Sequence, residues 1–156
     1  MAQIAVGSHP GPLASIDHVL ESAGRFLAPL GRALFAAIFI FASLGHFSAG
    51  TIAYAASHGV PMASFLVPAS GVLALLGGLS VLAGYHARLG ALMLVAFLVP
   101  VTFSMHAFWG IEDAPLAQLQ QAMFMKNVAL IGGALLIARF GAGPISVDSR
   151  REQKRS

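Results

Sequence analysis

Cysteine is absent from this chain of 156 residues, and charge is scarce. Without a thiol there is no disulfide, no thiol redox chemistry, no iron–sulfur cluster and no cysteine-ligated zinc. Charged residues make up 10% of the chain, where soluble domains carry roughly a quarter. A soluble protein this small has too much surface to leave it so bare of charge. Acidic residues number 6 against 9 basic ones, for a net charge of +3. The excess does not point to nucleic acid, because the basic residues sit at the ends of apolar segments and in the C-terminal tail.

What is abundant is apolar surface. Hydrophobic residues account for 57% of the chain, and the mean hydropathy is +0.79. The composition predicts an integral membrane protein whose first partner is the lipid bilayer. Four apolar segments carry that reading: residues 27–47, 66–84, 89–109 and 122–140. Each is near the ~20 residues needed to cross ~30 Å of hydrocarbon. Backbone groups in lipid must be satisfied within the chain, so the segments should be helices. The expected fold is all-α, a four-transmembrane-helix bundle.

Residues 1–12 hold Gly7, Pro10, Gly11 and Pro12 and read as a loose leader, with no basic-then-apolar pattern of a cleaved signal peptide. Leu13, Ile16, Leu20, Ala23 and Leu27 recur at helical spacing. They predict a short amphipathic helix on the membrane surface. Three regions follow: residues 1–26 as leader and interfacial helix, 27–140 as the four-helix domain, and 141–156 as a basic tail. Pro100 falls within the third segment and frees the Ala96 carbonyl. Thr102 and Ser104 are placed to re-satisfy groups freed there.

Charge sets the orientation. Arg25, Arg32, His86, Arg88, Arg139, Arg150, Arg151, Lys154 and Arg155 fall on one side of a four-span topology, while Glu112 and Asp113 fall on the other. The positive-inside rule then makes both termini cytoplasmic. The chain also echoes itself. Arg32 and Arg88 stand 56 residues apart, Gly77-Gly78 and Gly132-Gly133 stand 55 apart, and His46 and His106 stand 60 apart. These matches suggest a parallel 2+2 internal repeat.

Polar residues inside the spans need a reason. Counted at about 1.5 Å per residue, His46, His106 and Lys126 lie within roughly two turns of the same membrane edge, with Asn127 beside Lys126. Intramembrane ionisable groups default to functional candidates that face the bundle interior. Two imidazoles and an ammonium could hold the oxygens of a quinone or relay a proton. His106 is then the proton donor or acceptor, and Lys126 the stabiliser of a quinone oxyanion. Phe47, Phe108 and Trp109 would stack on the ring. Each residue also has a plainer account. His46 suits an interfacial helix end, Lys126 and Arg32 can snorkel to the surface, and the glycine pairs serve close helix packing. Two histidines are too few for a metal site, and none is expected.

The blocks Gly31-Arg32-Ala33-Leu34-Phe35 and Gly45-His46-Phe47 resemble the first helix of the DoxX family. The same holds for Gly77-Gly78, for Thr102 with His106-Ala107-Phe108-Trp109, and for Phe124-Met125-Lys126-Asn127 leading to Gly132-Gly133. The similarity spans residues 28–140. It implies a four-helix bundle in a bacterial inner membrane, tied to membrane redox chemistry, with a quinone or quinol as cofactor. On this basis the expected function is a quinone-linked component of a membrane oxidoreductase, working with partner subunits or as a homo-oligomer. Two alternatives stand beside it: a non-catalytic scaffold or accessory subunit, and a lipid or small-molecule carrier. The carrier predicts an elongated apolar cavity between helices.

Overall fold

A computed structural model describes residues 12–154, with side chains from residue 23 onward. Among the described residues there are six helices and no strand. They are α1 (Pro12–Gly45), α2 (Ala49–Ser57), α3 (Ala63–Ala83), α4 (Ala87–Met105), α5 (Ala114–Phe140) and α6 (Val147–Gln153). Four are long and apolar enough to span a bilayer: α1 over Ala23–Gly45, α3, α4 and α5. The chain is a multi-pass membrane protein. The expected interfacial stretch at residues 13–27 is helical and runs without a break into the first span. Residues 1–11 of the expected leader lie outside the described residues.

The spans pack in chain order. α3 lies between α1 and α4, and α4 lies between α3 and α5. The core is drawn from all four: Ala36 and Phe39 of α1, Ala74 and Val81 of α3, Ala91, Leu94, Phe97 and Leu98 of α4, and Ala134 of α5. Small residues set the spacing, since apolar lipid offers no hydrophobic drive and close backbone approach must hold the helices. A Cβ on Gly77 would stand 2.8 Å from Leu94 Cδ2 and 3.0 Å from the Gly90 carbonyl oxygen. One on Gly78 would meet Ile40 and Phe39 of α1. The Gly77-Gly78 pair therefore faces two neighbours at once. Its expected counterpart behaves differently: Gly133 backs onto Phe35 at 3.0 Å, while Gly132 has nothing within 4 Å.

Local chemistry explains two departures from the expected boundaries. The connection after the first span contains α2, because the Ser48 hydroxyl accepts the Thr51 N–H at 3.2 Å and starts a helix. The fourth span begins at Ala114, eight residues before expected, because Asp113 accepts the Leu116 N–H at 2.8 Å. The glutamines at 118, 120 and 121 are thus on the helix and not on an approach to it. Around Pro100, Thr102 donates to the Leu98 carbonyl at 2.6 Å and Ser104 to the Pro100 carbonyl at 2.7 Å. These are bonds one turn back, the nearest acceptors a helical hydroxyl can reach, so neither serves Ala96.

Candidate functional site

The end of the bundle that carries α2 holds a cavity of about 490 Å³. α2, α3 and α4 line it, with His46 just past the end of α1 at its edge and Leu66, Leu73, Phe97, Val101 and Met105 among its apolar walls. His46, Thr51, Ser70 and Ser104 are its polar edges, and Ala96 and Pro100 line it together. His46 is set by its neighbours. A Cβ on Gly71 would stand 2.6 Å from His46 Cβ, so only glycine lets α3 close on the end of α1 here. The imidazole lies edge-on to Phe97, with ring centroids 5.5 Å apart. Its Nδ1 lies 3.0 Å from the Ala42 carbonyl oxygen. A carbonyl only accepts, so Nδ1 carries the proton, and in the neutral ring Nε2 is the free acceptor.

His106 has other surroundings. It caps the end of α4, and its Nδ1 lies 2.8 Å from Gln120 Oε1 of α5. Phe108 and Trp109 pack with Phe124, at centroid separations of 5.6 Å and 5.8 Å, in edge-to-face contacts. Phe47 is exposed. Lys126 is exposed on α5, and among the described residues its Nζ reaches only Met123 Sδ, at 3.5 Å. The next residue, Asn127, is 5% exposed and turned into the bundle.

Neither His106 nor Lys126 lines the cavity that His46 borders. Equal depth along the membrane normal does not make side chains meet, because each residue also turns by about 100° around its helix. Lys126 and Asn127 are adjacent in sequence and face opposite surroundings for that reason.

The other end of the bundle holds contacts that the sequence did not announce. Arg32 is not snorkelling. It is 6% exposed, and it donates from Nη1 to the Ala142 carbonyl and from Nη2 to the Ile145 carbonyl, both at 2.6 Å. The tail that carries those carbonyls is folded onto the bundle. Asp148 of α6 accepts the N–H of His86 at 2.8 Å and of Ala87 at 3.1 Å, capping α4. Its own N–H donates to the Gly84 carbonyl at 2.9 Å. Gly84 must be glycine: its φ is +63°, and Arg32, Ser146 and Ala142 crowd the place of a side chain. A sequence signal for this docking exists in Ser146 and Ser149, whose reciprocal capping box starts α6.

With the geometry in place, comparison with known proteins corrects the functional expectation. The family whose model matches is the SURF4 family, over residues 19–154. Inner membrane protein YqjF of Escherichia coli (strain K12) is 34% identical over 137 residues, covering 86% of this chain and 97% of that protein. The Surfeit locus protein 4 homolog of Drosophila melanogaster is 34% identical over 74 residues, 47% of this chain and 27% of that protein. ER-derived vesicles protein ERV29 of Saccharomyces cerevisiae (strain ATCC 204508 / S288c) is 28% identical over 81 residues, 52% of this chain and 26% of that protein. The match thus spans nearly all of the bacterial relative and about a quarter of each eukaryotic one. No solved structure matches the chain.

The resemblance to the DoxX family is overturned by these matches. With it go the quinone-linked redox component and the oxidoreductase assignment. The reason is physical. Glycine pairs at crossings and polar residues near span ends are what any tightly packed membrane bundle uses, so they do not separate one family from another.

Proposed function

This chain belongs to the SURF4 family, and on that premise we propose that it is a non-catalytic membrane carrier that holds an apolar chain in the cavity beside His46. The cavity is the observation that carries the proposal. Its volume of about 490 Å³ lies within the roughly 300–1,000 Å³ of small-molecule sites. Its walls are mostly apolar, with few polar groups at the edge, as a site for an amphiphile requires. Leaving lipid for an apolar pocket gives an acyl chain no hydrophobic gain. Selection must then come from shape and from the polar edge, where His46 Nε2 offers an acceptor to a hydroxyl or a protonated carboxyl group.

The relatives support a membrane setting. YqjF is by name an inner membrane protein, and ERV29 is by name a protein of ER-derived vesicles. The basic end, with Arg32, His86, Arg88, Arg139, Arg150, Arg151 and Lys154, supports a cytoplasmic placement of that face under the positive-inside rule.

The test is retention of a pyrene-labelled fatty acid by the purified protein in detergent. Ala69→Phe and Ala96→Phe each fill the cavity from its wall, and the double variant should retain little label. Undiminished retention in a folded double variant refutes the carrier. Stoichiometric recovery of another membrane protein without retained label favours an accessory subunit instead.

A further inference from the structure

A second cleft, of about 720 Å³, lies at the basic end between the start of α4 and the segment joining α5 to α6. Its walls hold two guanidinium groups, Arg88 and Arg151, and one carboxylate not otherwise engaged, Glu152. Neither the Arg88 guanidinium nor the Glu152 carboxylate makes a hydrogen bond or ion pair among the described residues. They border one space without pairing across it. Arg151 is held in place, with its guanidinium 5.0 Å above the Tyr85 ring and 3.5 Å from His86 Nε2. The remaining acid, Asp148, is already used: both of its oxygens accept backbone N–H groups at the start of α4.

The cleft is built and held open. Arg32 ties the Ala142 and Ile145 carbonyls from inside the bundle, and Asp148 fixes α6 against α4. Gly141 turns the chain at φ +84°, a backbone that favours glycine, and the Arg88 guanidinium packs beside it, 3.4 Å from where a Cβ would stand. The rim is apolar and exposed: Leu89 is 59% exposed and Phe140 is 72% exposed, and both line the cleft. A charged recess with an apolar lip, at the level where spans leave the hydrocarbon, matches one molecular shape. That shape has a phosphate, a cation beside it, and acyl chains running back into the bilayer.

We propose that this cleft binds the headgroup of a zwitterionic phospholipid of the phosphoethanolamine type. Arg88 and Arg151 take the phosphate oxygens as charge-assisted hydrogen-bond donors. Glu152 takes the ammonium. The glycerol and chains leave over Leu89 and Phe140. An anionic lipid with no ammonium satisfies the arginines and leaves Glu152 facing a like charge, so it binds less well.

Native mass spectrometry of the full chain in detergent tests this. The probes are dioleoyl phosphatidylethanolamine, dioleoyl phosphatidylglycerol and water-soluble phosphoethanolamine. Wild-type protein should retain the ethanolamine lipid in preference to the glycerol lipid. Arg88→Gln and Arg151→Gln should each weaken retention about fivefold, the effect of roughly one surface cation on lipid binding. Glu152→Gln should erase the preference between the two lipids while binding persists. Equal retention in the Arg88→Gln/Arg151→Gln double variant, with helicity intact by circular dichroism, overturns the site. Competition by soluble phosphoethanolamine at the lipid's own concentration overturns the lipid as its source. Ala69→Phe and Ala96→Phe sit in the other cavity and should leave this binding unchanged, so each proposal can fail alone.

Discussion

Arg32, in the first span, donates its Nη1 hydrogen to the carbonyl oxygen of Ala142 at 2.6 Å, across 110 residues of chain. Its Nη2 holds Ile145 in the same way, and its Nε is buried without a partner among the described residues. A buried charge in a membrane protein is tolerated when its donors meet fixed acceptors. Here the acceptors are carbonyls of the turn that brings α6 back onto the bundle. Arg32→Ala should therefore release the tail and destabilise the fold by about 3 kcal/mol, the scale for losing charged hydrogen bonds at a buried site. Thermal unfolding in detergent measures the loss, and limited proteolysis reads the tail. Wild-type protection of residues 147–153 in the variant would show that these bonds do not hold it.

Asp148 should matter through α4. Its carboxylate accepts two N–H groups at a helix start where His86 itself sits at φ +47°. The left-handed backbone gives that residue no side-chain cap of its own. Asp148→Ala should cost about 1 kcal/mol, as loss of a cap does. Amide hydrogen exchange at residues 86 and 87 should speed up about fivefold. Unchanged exchange there would rule out the cap.

Gly77 and Gly132, one from each glycine pair, should respond in opposite directions. Gly77→Ala drives a Cβ to 2.8 Å from Leu94 Cδ2 and 3.0 Å from a backbone oxygen. Overpacking of this kind costs about 1–3 kcal/mol. Gly132→Ala meets nothing within 4 Å and should gain up to about 1 kcal/mol of helix propensity. Unfolding of both variants in a denaturing detergent series compares them. Similar losses at both positions would mean that α5 has a partner surface at Gly132.

Orientation can be read directly because the chain has no cysteine to remove. Glu112 and Lys154 are both exposed and lie at opposite ends of the bundle. Glu112→Cys should react with a membrane-impermeant maleimide added to intact cells. Lys154→Cys should react only after the membrane is opened. The reverse pattern would invert the topology that the charge distribution implies.

Much of the architecture was legible in residue order. The four spans show themselves as apolar runs of the right length, and their helical form follows from backbone satisfaction in lipid. α2 and the early start of α5 were missed, although Ser48 before Thr51 and Asp113 before Pro115 are readable caps. Those signals are short and polar, and the apolar runs beside them drew the boundaries instead. The polar residues misled for a different reason. His46, His106 and Lys126 share a level, but His46 turns to Phe97, His106 to Gln120 and Lys126 to the outside.

From its sequence alone this chain was bound to be an all-α, four-span membrane protein with one strongly basic end, because hydropathy, length and charge are sums over neighbouring residues. Only the tertiary structure decided that Arg32 serves the tail, that Asp148 caps α4, and that the cavity beside His46 excludes His106 and Lys126. Such pairings depend on how far each helix is rotated about its axis. That rotation is set by contacts such as Gly71 on His46 and Gly77 on Leu94, between residues that no local pattern connects.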